Sequence, residues 1–144
     1  METMMNPPQA GPKVLGAKAG VAAGAYTSIT SIIAPSEAAY GDWVSVEVRV
    51  KNTWTGDMYI AVTGQYDGVN IYPSIDYLIV SPGQTVSFYF AFTMLNKSII
   101  FHAWSFFWTG TEWYQDDYAT RDIALAKVGP PEFQGFAINQ YNKV

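Results

Sequence analysis

Apolar and polar residues alternate most cleanly in Trp43–Asn52, WVSVEVRVKN, where Val44, Val46, Val48 and Val50 fall on one side and Ser45, Glu47, Arg49 and Lys51 on the other. Successive side chains of a strand point to opposite faces, so a period of two marks a strand with one face on a core and one in water. Residues 85–94, TVSFYFAFTM, repeat the pattern, with Val86, Phe88, Phe90 and Phe92 opposed to Ser87, Tyr89, Ala91 and Thr93. Weaker strands are expected over residues 27–34, 57–65, 69–72 and 76–80. Two more, 98–108 and 113–125, flank a short turn in SIIFHAWSFFWTGTEWYQDDY. This run is apolar at odd and even positions alike and carries eight aromatics: Phe101, Trp104, Phe106, Phe107, Trp108, Trp113, Tyr114 and Tyr118. A strand apolar on both faces needs both of them covered.

Turn signals separate nearly all of these segments: Pro35, Tyr40-Gly41-Asp42, Thr55-Gly56-Asp57, Asp67-Gly68, Ser81-Pro82-Gly83, Leu95-Asn96-Lys97 and Thr109-Gly110. No helical period of useful length interrupts them. The pattern predicts an all-β chain, an antiparallel sandwich of about seven or eight strands. It occupies residues 26–127, between a Gly/Ala/Pro-rich N-terminal arm (1–25) and a C-terminal tail (128–144).

Pro35-Ser36-Glu37, then Gly41-Asp42 followed by Val44, Val46, Val48, Val50 and Asn52, resembles the opening of immunoglobulin-like modules of the CARDB and fibronectin-III kind. Ser81-Pro82-Gly83-Gln84-Thr85-Val86, leading into alternating aromatics, is similar to the later turn and strand of those modules. The resemblance spans residues 27–126 and implies an immunoglobulin-like β-sandwich. It says little about function, because such sandwiches host adhesion, sugar binding, spacing and virion assembly. The chain departs from the usual pattern in its heavy aromatic load, in standing alone rather than in an array, and in lacking a secretion signal.

Composition narrows the classes further. The chain has 144 residues, a net charge of −4 and eight basic residues, which are scattered singly. Nucleic-acid binding is not expected, since a phosphate footprint needs clustered cations. With no cysteine, a disulfide framework and a thiolate metal site are excluded. The small-residue stretch near the N-terminus is broken by Pro12, Lys13, Gly16, Lys18 and Gly20, too often for the core of a secretory leader. No segment approaches the roughly 18 apolar residues of a membrane span. The chain reads as a complete soluble product starting at Met1.

Chemistry is sparse. His102 is the one histidine and lies within an apolar strand, so it reads as a structural or interface residue. Asp116-Asp117, with Asp122 nearby, is the one acidic cluster. In a regular strand adjacent residues face opposite ways, so this pair is expected to keep the strand soluble and guard it from edge pairing rather than to bind calcium. Asp67-Gly68 with Asn70 reads as a turn. No phosphate loop, dinucleotide fingerprint or nucleophile elbow is present. No catalytic residue, metal ligand or cofactor is assigned, and the chain is not expected to be an enzyme.

The aromatic hairpin therefore bears the functional reading. In residues 98–108 the odd face carries Ile99, Phe101, Ala103, Ser105 and Phe107, which suits a core because small Ala103 and Ser105 can sit beneath large residues of the facing sheet. Trp104, Phe106 and Trp108 then line the outer face, with Trp108 opposite Trp113 across the turn. Together the three would expose about 450–750 Å², at or above the largest apolar patch of a typical monomer. Three covers are open: the chain's own arm or tail, the latter through Phe133, Phe136, Ile138 and Tyr141; another subunit; or a sugar, with Tyr59, Tyr66 and Tyr72 extending the platform. Phe106 between the tryptophans disfavours sugar, which wants polar groups interleaved with rings.

The expected interface residues are Trp104, Phe106, Trp108, Trp113, Tyr114, Phe133 and Phe136. The expected partners are copies of the chain or another structural protein. Arms too poor in apolar bulk to order themselves fit assembly with neighbours. The leading expectation is a structural protein of a virus or phage particle, a decoration, shell or tail component. The alternative is a cell-surface adhesion or carbohydrate-binding module.

Overall fold

The alternating valines form β3 (Trp43–Asn52), and Val44, Val46, Val48 and Val50 are all but inaccessible. In the computed structural model, which describes residues 6–13 and 24–127, β3 is the middle of a three-stranded antiparallel sheet. Its neighbours are β1 (Thr27–Ile33) and β7 (Thr85–Thr93). The register sets Val46 opposite Phe90 and Val48 opposite Phe88, so valines and phenylalanines share the inward face. On its back Glu47 accepts hydrogen bonds from Ser87 Oγ at 2.6 Å and Arg49 Nε at 2.8 Å. The Ser87 bond first, and then Arg49, hold its carboxyl below the usual carboxylate range.

The second sheet runs β2–β9–β8–β4–β5, with β6 also pairing β4. Its strands are β2 (Glu37–Ala38), β4 (Met58–Tyr66), β5 (Val69–Ile71), β6 (Leu78–Val80), β8 (Ile99–Trp108) and β9 (Trp113–Leu125). β5 and β6 take opposite ends of one edge of β4. Asp67 and Gly68 both have positive φ, 49° and 76°, which suits the tight two-residue turn joining β4 to β5. Two-residue β2, which the pattern of residues 35–42 is too short to signal, pairs in parallel with the end of β9.

The core lies between the sheets. Ile99, Phe101, Ala103 and Phe107 of β8 point into it as the odd-face reading expects. Phe101 meets Phe90 at 5.3 Å and Phe92 at 6.3 Å between ring centroids, and Tyr66 stacks on Phe92 at 4.2 Å. The described residues are all-β, without a helix, as the sequence predicts for a sandwich of this class.

One irregularity matters for function. Trp104 pairs with Tyr118 but Phe106 pairs with Gln115, so Asp116 and Asp117 together oppose Ser105. This β-bulge inserts one residue into β9 and switches its parity. The expectation that these residues keep the strand soluble and guard it from edge pairing assumed a regular strand, and the bulge overturns it. Asp116 is only 6% exposed. Its Oδ2 accepts from Tyr26 N at 3.0 Å, Thr27 N at 2.6 Å and Thr27 Oγ1 at 2.7 Å, and its Oδ1 from Ala25 N at 3.1 Å. Asp117 Oδ2 accepts from Ile29 N at 2.7 Å. The pair thus satisfies the amides at the start of β1 with carboxylate oxygens instead of a backbone ladder, and so joins the two sheets. Ser105 completes it: its Oγ accepts from Asp117 N at 2.9 Å and lies 2.7 Å from Thr27 Oγ1. Since Thr27 spends its one proton on Asp116, Ser105 donates there.

Candidate interface: an aromatic groove filled by residues 6–13

The outer face of the second sheet is built by cross-strand neighbours from three strands. Tyr59 and Ala61 come from β4, Phe106 and Trp108 from β8, and Trp113 and Gln115 from β9. Trp108 and Trp113 face each other across the turn, as expected, with ring centroids 5.2 Å apart and planes at 59°. The connection from β5 to β6 extends the row. It brings Tyr77 to 6.1 Å from Trp113 and 5.5 Å from Tyr59, and it adds Tyr72.

Residues 6–13, Asn-Pro-Pro-Gln-Ala-Gly-Pro-Lys, occupy this groove. Trp108 Nε1 donates to Asn6 O at 2.7 Å, Tyr77 Oη to Pro8 O at 2.7 Å, Trp113 Nε1 to Ala10 O at 2.8 Å and Tyr72 Oη to Lys13 O at 2.6 Å. Four aromatic donors thus read four main-chain carbonyls of a segment whose three prolines offer no N–H of their own. Lys13 closes the end, with Nζ 4.7 Å from the centre of the Tyr72 ring and 3.5 Å from Asp76 Oδ1. Pro8, Gly11 and Pro12 are buried. A Cβ on Gly11 would stand 2.6 Å from the Asp76 carbonyl oxygen, so only glycine lets the segment lie this close to the groove wall.

The expected interface residues divide. Trp108 and Trp113 are half-buried and bonded to the segment. Phe106 points outward as expected yet has no exposed surface, and beside it Ala61 and Thr63 have none either. Tyr114 is corrected: it pairs with Phe107 and packs on the core, because it adjoins outward-facing Trp113 in β9 and adjacent side chains of a strand point to opposite faces. Trp104 belongs to a second cluster, with His102 at 5.8 Å and Tyr118 at 5.2 Å. His102 Nδ1 is 2.6 Å from Tyr118 Oη. His102 stacks on both neighbours, so these rings spend faces on one another. Phe133 and Phe136 lie outside the described residues.

Sequence reasoning missed Tyr77, Asn6, Pro8, Ala10 and Lys13 as contact residues. The pairing of a Pro-Pro-x-x-Gly-Pro segment with surplus tyrosines and tryptophans was the available signal, since proline-rich segments dock in aromatic-lined grooves. It also missed Trp43, 71% exposed on the back of the other sheet.

No protein-family model matches the sequence, and a comparison with curated proteins found no match. Solved structures do match. A CARDB domain from Pyrococcus furiosus, solved in complex with di-metal ions, is similar with a TM-score of 0.53 and 15% identity over 75% of this chain and 95% of that one. Native alpha-2-macroglobulin from Escherichia coli, from domain MG7 to the C-terminus, gives a TM-score of 0.52 and 13% identity. That match covers 69% of this chain, which spans only 17% of the other. The fold is thus an immunoglobulin-like β-sandwich. The metal ions of the first neighbour find no counterpart among the described residues: no three His, Asp or Glu side chains converge, and the Asp116 oxygens already receive four hydrogen bonds.

Proposed function

On this immunoglobulin-like scaffold we propose a non-enzymatic structural protein, a decoration, shell or tail component of a virus or phage particle, that works by association through its N-terminal arm and its aromatic sheet face. One observation carries the reading: an aromatic groove on the outer face of the second sheet is occupied by a short proline-rich segment, held by hydrogen bonds to its carbonyls. That chemistry binds a peptide. Its indole and phenol donors are spent on main-chain oxygens and the Asp76 carboxylate faces Lys13, so among the described residues no acid, base and nucleophile converge at the groove. The sandwich provides a rigid block, and the arm provides reach.

A carbohydrate-binding role finds less support, because the indole N–H groups of Trp108 and Trp113 are spent on the arm and the rings of His102, Trp104 and Tyr118 pack on one another. Static light scattering of the full-length chain over a wide concentration range, with incorporation into particles as second readout, tests the proposal. Association that falls at least tenfold in Trp108→Ala/Trp113→Ala is expected. Monomers at every concentration, with no particle that takes them up, would sink the proposal; glycan binding abolished by Trp104→Ala would replace it with the sugar reading.

A further inference from the structure

We infer that the groove of Tyr72, Tyr77, Trp108 and Trp113 is a receptor for proline-containing peptide, and that in assemblies its occupant is residues 6–13 of a second copy of the chain. The inference rests on the association proposed above and supplies its mechanism.

Recognition by carbonyls makes the site portable. The hydrogen bonds that hold the segment run from the groove to main-chain oxygens, and Lys13 adds its contacts to Asp76 and Tyr72. None depends on the segment being covalently joined to this particular sandwich. Residues 14–23, VLGAKAGVAA, connect Lys13 to Gly24, whose amide is fixed to Asp116 O at 3.2 Å. Ten residues span at most about 33–36 Å when extended, comparable to the width of a neighbouring domain of this size. The linker contains no proline and only small or flexible side chains apart from Val14, Leu15 and Val21, so nothing in its composition forces a single path. Exchanging the segment between copies preserves all the groove contacts, which makes a swap inexpensive. The tether raises the local concentration of the chain's own segment to the millimolar range, so the closed form prevails in dilute solution and the exchanged form gains ground as copies crowd together.

The specificity follows from the seat. Glycine is required at position 11 by the 2.6 Å approach to Asp76 O. A cation is favoured at position 13, where Asp76 and the Tyr72 ring both face it. The chain holds a second Pro-Pro pair, Pro130-Pro131 in GPPEFQGF, which sets Gln134 where the seat needs Gly11 and Phe136 where it favours Lys13, so the groove should discriminate against it.

The test uses two full-length variants. Gly11→Ala disables the arm outside the sandwich and leaves the groove intact; Tyr77→Phe/Trp113→Phe keeps the arm and removes two donors. A fluorescent peptide of residues 6–13 should bind Gly11→Ala at least tenfold more tightly than wild type, where the tethered segment competes, and at least tenfold more tightly than a peptide of residues 129–136. Mixed one to one, the two variants should form heterodimers that neither forms alone. Equal peptide affinity for Gly11→Ala and wild type, preference for the 129–136 peptide, or a mixture that stays monomeric would each overturn the inference. If wild type associates while the mixture does not, another face drives assembly and the association proposal survives. If peptide and mixture behave as expected but wild type never associates, the groove stands and that proposal falls.

Discussion

Replacing Asp116 by alanine is expected to lower stability by about 4 kcal/mol, a fall in Tm on the order of 15 °C for a domain of this length. The carboxylate takes three main-chain amides and a hydroxyl, all at the start of β1, where the first sheet meets β9 of the second. Alanine removes the acceptors and leaves the donors of Tyr26, Thr27 and Ala25 without a partner, and Thr27 is wholly buried. Stranded donors cost more than the lost bonds themselves. Asp116→Asn separates the two effects. Its carbonyl can take the place of Oδ2 and keep three bonds, while its amide meets Ala25 N donor to donor, so a loss of only about 1–2 kcal/mol is expected. Chemical denaturation of both variants checks this; equal losses would show that the carboxylate is not acting through its Oδ2 bonds.

Phe106→Ala is expected to cost about 3–4 kcal/mol and to loosen residues 6–13 at the same time. A phenylalanine on the outer face of a sheet ordinarily loses little on truncation, because water already reaches it. Phe106 has none of its surface exposed, the same as Phe101 at the centre of the core. Next to it, Thr63 Oγ1 and Gln115 Oε1 are buried without a hydrogen-bond partner, so a void there borders polar atoms and admits water. The expected pair of results is a core-sized drop in the denaturation midpoint together with faster proteolytic cleavage within residues 6–13. A drop below about 1 kcal/mol would mean that the outer face is open to water in solution.

How far the sequence foretold this molecule varies by element. β3 and β7 were legible because large apolar residues fill each inward row, four valines in one and a valine with three phenylalanines in the other, and β8 because Ala103 and Ser105 make its odd face fit a facing sheet. The ends of β9 were legible as well, but not its middle. A bulge adds one residue without any composition signal, and that residue decides whether Asp116 meets water or the amides of β1. The groove was half legible. Its tryptophans stood out by bulk, and the register Trp108↔Trp113 followed from a short turn. Tyr72 and Tyr77 reach it from a connection 30 or more residues away, and no local pattern places them there. The segment that fills it looked unordered because it lacks apolar bulk, yet it is held through carbonyls, which every residue has. The two rows of the aromatic hairpin therefore end in different places: Phe101 and Phe107 in the core, Phe106 and Trp108 on the outer face, where Trp108 is bonded to a proline-rich strip.

The central claim is that residues 6–13 sit on the aromatic groove through Trp108 and Trp113. Indole N–H hydrogen exchange, read by NMR on the full-length chain, tests it most directly. Of the five tryptophans, Trp108 and Trp113 should exchange at least tenfold more slowly than Trp43 and Trp54, and Gly11→Ala should remove that protection from these two alone. Trp108 and Trp113 exchanging as fast as exposed Trp43, or keeping their protection in Gly11→Ala, would contradict it.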